Sequence, residues 1–259
     1  LIMNKEIEII TIKSLSDNYI WLLRNNIKDL TAVIDPGESE PVNRVLFQKN
    51  WSLDQIINTH HHYDHTNGNL ELKKKWGAKL TAPEEEKNKI KNIDIGVIDD
   101  DEIDIAGLKA RVIHTPGHTL GHVMFYLKKE KILFAGDTIF SLGCGRVFEG
   151  SMKDMFFSLN KIKSLDPETS IYCGHEYTEN NLKFALEVDK QNEELKILSE
   201  KITDLKRSNL PTIPSLLKDE LNCNPFLRTD DVNISLYFKN KRSNNLEIFT
   251  KLRNLKDEF

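Results

Sequence analysis

Residues 59–65 read Thr-His-His-His-Tyr-Asp-His and follow directly on the apolar run Leu53-Asp54-Gln55-Ile56-Ile57-Asn58. His60, His62, Asp64 and His65 thus fall within six residues, and histidine and carboxylate are the ligands of choice for zinc and its first-row neighbours. The spacing excludes one shared helical face, which needs intervals of three or four throughout. It suits a strand running out into a loop, with His60 and His62 pointing the same way and Asp64 and His65 folding over to a neighbouring position. The cluster can therefore serve two metals. Packing these groups at a strand end costs solvation unless something binds them.

Three later positions share that setting. His118 lies in Thr115-Pro116-Gly117-His118-Thr119, past an expected strand at 109–113; Asp137 lies in Phe134-Ala135-Gly136-Asp137-Thr138; His175 lies in Tyr172-Cys173-Gly174-His175-Glu176. Each sits where a strand gives way to a loop, the place where open sheets gather ligands. Together these make five histidines and two aspartates on four loops, enough for two metals if one carboxylate bridges. His61 alternates away from its neighbours, His114 falls inside a strand, and His122 reads as a supporting or merely buried residue. These three stay outside the ligand set.

The rest of the 259-residue chain reads as an ordinary globular protein, with 39% hydrophobic and 29% charged residues. A net charge of −4 and a pI near 6.1 offer no platform for nucleic acid. No apolar run approaches the ~18 residues of a membrane span. The start lacks a signal-peptide layout, and Met3 is read as the native initiator. Cys144, Cys173 and Cys223 are odd in number and far apart, which argues against a disulfide framework and for a reducing cytoplasm. Strands are expected at 7–12, 19–23, 31–35, 53–58, 79–82, 102–106, 109–113, 123–127, 131–135 and 170–173, and helices at 41–50, 69–76 and 152–164. From Thr178 the composition turns Glu-, Lys- and Leu-rich, with helical spacing at Leu182, Ala185 and Leu186, at Leu195, Leu198, Ile202 and Leu205, and over 243–256. This predicts a small helical domain beside a main one, with boundaries at 3–176 and 177–259.

The ligand pattern matches the signature of the metallo-β-lactamase superfamily, THxHxDH followed by separated His, Asp and His. Within it the chain resembles the glyoxalase II (hydroxyacylglutathione hydrolase) branch. The resemblance extends to Thr138-Ile139-Phe140, to residues 143–150 (Gly-Cys-Gly-Arg-Val-Phe-Glu-Gly), to residues 173–178 and 180–185, to Asn224-Pro225-Phe226-Leu227-Arg228 and to residues 253–259.

It implies an α/β fold, the metallo-β-lactamase-like four-layer αββα sandwich, with a C-terminal helical domain. It implies two divalent ions per chain, zinc by default with iron or manganese also suited: one on His60, His62 and His118, the other on Asp64, His65 and His175, with Asp137 bridging. Asp64 and Asp137 would be the catalytic carboxylates, Asp64 chiefly as a ligand. Glutathione contacts would fall on Arg146, Tyr177, Arg253 and Lys256, with Asn181 and Phe148 beside them. Phe148 stands where some members have Tyr, and Arg146 where some have Lys. The implied reaction is hydrolysis of S-D-lactoylglutathione to D-lactate and glutathione by water activated between the metals, a step of methylglyoxal detoxification. It needs no macromolecular partner and no membrane, and the chain would act as a monomer. The rivals on the same fold are a lactonase, a general thioesterase and a mononuclear persulfide dioxygenase; a metal-stabilised scaffold is the non-enzymatic one.

Overall fold

The computed structural model describes residues 6–238 and 244–259. The expected initiator Met3, with Leu1 and Ile2, and Ser243 at the start of the expected terminal helix lie outside the described residues. The chain forms two compact units. The first runs up to His114 and includes Gly121–Gly136; the second comprises Thr115–Leu120 and Asp137–Phe259.

In the first unit, β1 (Ile7–Ser14), β2 (Asn18–Asn25) and β3 (Leu30–Ile34) form an antiparallel meander. The sheet continues in parallel through β4 (Gln55–Ile57), β5 (Lys79–Pro83) and β6 (Ile95–Val97). The change of sense is made by crossovers through α1 (Ser39–Lys49), and through α2 (Tyr63–Thr66) with α3 (Asn69–Trp76), since a parallel connection is too long for a tight turn. Val42 and Leu46 of α1 and Leu72 of α3 pack with Ile20, Leu22, Val33, Ile56 and Leu80 into one buried cluster. α1 ends at Asn50, whose φ of 55° is the left-handed cap that asparagine tolerates.

A second sheet of the same unit is the antiparallel meander β7 (Glu102–Ile105), β8 (Leu108–His114), β9 (Val123–Leu127) and β10 (Ile132–Gly136). β9 and β10 are buried at every position, the mark of strands covered on both faces. The side chain of Gln55 ties the two sheets, donating to the Asp104 carbonyl at 2.9 Å and accepting from the Ala106 amide at 2.6 Å.

The second unit opens with the small hairpin β11 (Ile139–Phe140) and β12 (Gly143–Cys144). Its turn places Leu142 at φ 58°, a left-handed conformation costing roughly 1–2 kcal/mol for a residue with a Cβ. α4 (Met152–Lys163) starts on a capping box in which Ser151 and Asp154 exchange hydrogen bonds. β13 (Ser170–Cys173) pairs with β14 (Ser215–Leu216). Between and after them come α5 (Thr178–Val188), α6 (Glu193–Arg207), α7 (Leu217–Cys223), α8 (Val232–Tyr237) and α9 (Asn245–Glu258). Leu182, Ala185, Leu195 and Ile202 from α5 and α6 close a core with Leu142 and Cys223. A second, aromatic core stacks Phe184 on Phe226 at 5.9 Å and sets Phe226 edge-on to Phe249 at 6.1 Å.

The ten expected strands and the longer helices are present, within a few residues. β4 ends at Ile57, earlier than the apolar run suggests, and the chain makes a single helical turn at residues 63–66 where a loop was expected. That turn forms because His62 accepts from both the His65 amide and the Thr66 hydroxyl, each at 3.0 Å. β6, β11, β12, β14, α7 and α8 went unforeseen; all are too short to show a period.

Truncating Phe226 to Ala removes the ring shared by Phe184 and Phe249. The midpoint of urea unfolding is expected to fall by the equivalent of about 3–5 kcal/mol, with an unchanged denaturant slope.

Candidate metal centre

Four of the seven expected ligands belong to the first unit, and the parallel pairing of β3 with β4 delivers them. The register Ile34↔Ile57 sets Asp35, just past β3, beside the residues that leave β4. Asp35 takes φ 51° and receives the Thr59 amide on one oxygen at 2.8 Å and the Thr59 hydroxyl on the other at 2.7 Å. The Thr59 hydroxyl proton is thereby spent, so His60 Nδ1, 2.9 Å from that oxygen, carries the donated proton. His60 Nε2 is left with its lone pair, the form that binds metal. The same Asp35 oxygen stands 3.2 Å from His65 Nδ1, which aims His65 Nε2 at Asp64, 3.6 Å away. Asn18 donates to Asp64 Oδ2 at 3.0 Å. Gly37 packs on the Asp64 carbonyl so closely that no Cβ would fit.

His60 Nε2 lies 3.1 Å from His62 Nδ1. Two imidazole nitrogens held on one zinc at about 2.0–2.1 Å and the tetrahedral angle stand about 3.3 Å apart. The pair therefore fits a shared cation.

The other three ligands lie in the second unit and meet at one atom. Asp137 Oδ2 is 3.4 Å from His118 Nε2 and 3.3 Å from His175 Nε2. All three residues are buried. His118 donates Nδ1–H to the Arg146 carbonyl at 2.9 Å, again leaving Nε2 as the ligand atom. The His175 ring lies flat on Tyr177, 4.8 Å away and 7° from parallel, with Phe140 edge-on to both. A carboxylate oxygen at these distances from two histidine nitrogens can share a cation with either, and the His/Asp clusters are compatible with a binuclear metal site. Burial raises the pKa of the thiols of Cys144, Cys173 and Cys223, that of Cys223 to about 12. No thiolate nucleophile is thus on offer among them.

The six expected substrate residues all lie in the second unit, in two kinds of place. Arg146, Phe148, Tyr177 and Lys256 reach the surface in whole or part. The Phe148 ring, 61% exposed, leans on His118 at 5.2 Å. Lys256 lies between the Phe184 and Phe259 rings, and its pKa is lowered by burial and by the nearby charges of Arg253 and Arg146. Asn181 and Arg253 are interior instead. Asn181 donates to the Ser141 carbonyl at 3.0 Å. Arg253 is 3% exposed and donates to the Cys144 carbonyl at 2.7 Å and to Asp257 at 3.0 Å. Its guanidinium lies over Phe226, not on a solvated helix face. Asp257 faces Arg146 Nε as well, at 3.5 Å, so three cations crowd around one carboxylate.

Asp35 and Asn18 were not foreseen, whereas His122 reads from the sequence as a supporting or merely buried residue. His122 is fully buried and stacks on the His60 ring at 4.9 Å, a supporting place. The only local sign of Asp35 was an aspartate ending a strand before Pro36-Gly37.

Comparison with known proteins matches residues 15–175 to the metallo-β-lactamase superfamily model and residues 176–259 to the model of the hydroxyacylglutathione hydrolase C-terminus. The chain is 48% identical over 252 residues to hydroxyacylglutathione hydrolase of Pelagibacter ubique, covering 97% of this chain and 100% of that one. It is 42% identical to hydroxyacylglutathione hydrolase of Rhodospirillum rubrum, covering 98% and 99%. Among solved structures, ETHE1 from Myxococcus xanthus superposes with a TM-score of 0.66 at 20% identity, over 95% of this chain and 96% of that one. The BLEG-1 B3 metallo-β-lactamase gives 0.65 at 21% identity, over 85% and 99%. These two likenesses establish the metallo-β-lactamase fold.

Replacing Asp35 with Asn keeps its shape and removes its charge, so His60 and His65 lose their common orienting anion. Metal affinity, measured by competition with a chromophoric chelator, is expected to drop about 10–100-fold.

Proposed function

The chain belongs to the hydroxyacylglutathione hydrolase family of the metallo-β-lactamase superfamily, and we propose on that premise that it hydrolyses S-D-lactoylglutathione to D-lactate and glutathione. The observation that carries the reading is the Asp137 oxygen held 3.3–3.4 Å from two histidine nitrogens, in a chain matched over nearly its full length by hydrolases of that name. In this reading the two ligand groups serve one binuclear centre. His60, His62 and His118 would hold one ion and Asp64, His65 and His175 the other, with Asp137 shared between them. The ligand types suit zinc, with iron and manganese as the other candidates. Bound there, two divalent ions acidify water and polarise the thioester carbonyl.

The residues supply placement. Asp64, fixed by Asn18, and Asp137 present carboxylate oxygens to the water, and their negative charge balances the cations. The leaving group is a thiolate whose conjugate acid has a pKa of about 8.5 by analogy with cysteine, so departure calls for no strong acid. Residues 177–259 form the helical module that grips the peptide, joined to a catalytic part at 3–176. Arg146, exposed, and Lys256, partly exposed, are the cations for the glutathione carboxylates, and the buried Arg253 nearby reinforces their field. Tyr177 and Phe148 flank the ligands His175 and His118 and wall the acyl end. The reaction belongs to methylglyoxal detoxification in the cytoplasm. Among the described residues no helix is long and apolar enough to cross a membrane.

Steady-state hydrolysis of S-D-lactoylglutathione is expected to exceed that of the same acyl group on a simple thiol, and chelation should abolish both. Equal turnover of the two thioesters would overturn the assignment of the peptide grip. No turnover by metal-loaded protein would overturn the hydrolase. Lys256→Ala is expected to raise KM about tenfold or more with kcat little changed, the pattern of a lost charge-assisted contact made equally in ground and transition states.

A further inference from the structure

The turn between β11 and β12 is held by more polar contacts than a two-residue connection needs. Leu142 is fully buried and left-handed, a state that persists only where its surroundings over-determine it. Glu220 of α7 accepts the Leu142 amide on Oε2 at 2.8 Å. Asn224, just past that helix, extends Nδ2 to the Gly143 carbonyl at 3.0 Å, to the Phe140 carbonyl at 3.3 Å and to the same Glu220 oxygen at 3.0 Å. Asn181 of α5 takes the Ser141 carbonyl. Every residue from 140 to 143 is thus pinned through its backbone.

What this turn carries forward is the machinery. The next carbonyl, that of Cys144, holds Arg253 at 2.7 Å. Gly145 lies on the Asp137 carbonyl with no space for a Cβ, and its amide donates to Thr138 at 3.2 Å. The carbonyl of Arg146 receives His118 Nδ1–H. A shift of the turn would move the acceptor that fixes the His118 tautomer and the one that seats the buried arginine.

We propose that Glu220 is a positioning residue: by pinning the strained 140–143 turn, it sets the Arg146 carbonyl that aims His118 at metal and the Cys144 carbonyl that seats Arg253 near the anion-binding cations. The kinetic half of this rests on the thioesterase reading; the metal half rests on the ligands alone. Burial raises the pKa of the Glu220 carboxyl, against the hydrogen bonds it receives. What the turn takes from Glu220 is an oxygen that accepts the Leu142 amide and Asn224 Nδ2, and a glutamine supplies the same acceptor.

The test compares wild type, Glu220→Ala and Glu220→Gln as full-length, zinc-loaded proteins. Zinc affinity is read by chelator competition, kcat and KM on S-D-lactoylglutathione, and stability by urea unfolding. Glu220→Ala is expected to weaken zinc binding about tenfold or more, to lower kcat and to raise KM, while Glu220→Gln restores all three. A Glu220→Ala protein that loses stability alone, with zinc affinity, kcat and KM of the folded fraction unchanged, overturns the proposal. Should the alanine variant not fold, Glu220→Asp withdraws the acceptor by one methylene; wild-type zinc affinity in that variant overturns it equally. If wild type does not cleave the thioester yet Glu220→Ala still loses zinc, the hydrolase reading falls and the clamp stands.

Discussion

A single buried carboxylate, Asp35, sets the geometry on which the first ligand group depends. Burying a charge costs several kcal/mol unless donors surround it, and here the Thr59 amide and hydroxyl meet it while His65 Nδ1 stands beside it. In satisfying Asp35, Thr59 is turned so that its hydroxyl can only accept from His60. One anion thereby decides which nitrogen each of two histidines offers to a cation. The parallel register of β3 and β4 is what brings Asp35 to Thr59, so sheet pairing shapes the loop that carries the metal-ligand candidates.

The second ligand group follows a similar logic with a neutral acceptor. His118 is oriented by the Arg146 carbonyl, and His175 by the flat face of Tyr177. Both supports belong to residues proposed to meet substrate, Arg146 and Tyr177, so ligand orientation and substrate reach would share the same residues. The cations nearby are graded by burial. Arg253 is interior and already hydrogen-bonded, whereas Arg146 and Lys256 are partly open. Burial, and then like charges so close, depress the pKa of Lys256, and an incoming carboxylate would relieve the second of these.

The longer elements were legible from their apolar residues: β2 and β9 are continuous apolar runs, while α4 and α6 repeat theirs at helical spacing. The hairpin β11–β12 and the strand β14 have two residues per strand, too few for any period to show. The seven ligand candidates were legible because imidazoles and carboxylates at strand ends are costly to leave unsatisfied. Their supports were not. Thr59 meets Asp35 across 24 positions, Asn181 meets Ser141 across 40, and Arg253 meets Cys144 across 109. No local pattern encodes a partner that distant.

The sequence by itself determined the kinds of donor, their placement at strand ends, and a family assignment carried by blocks along the whole chain. It also located the basic residues near the end of the chain, without saying which of them face water. The tertiary structure decided that Arg253 is buried near Lys256, that Asn181 serves the backbone, and that His60 and His118 both offer Nε2. Those choices rest on through-space partners: a ring's proton and a cation's exposure are set by whatever the fold brings within hydrogen-bonding distance, and the order of residues does not contain that distance.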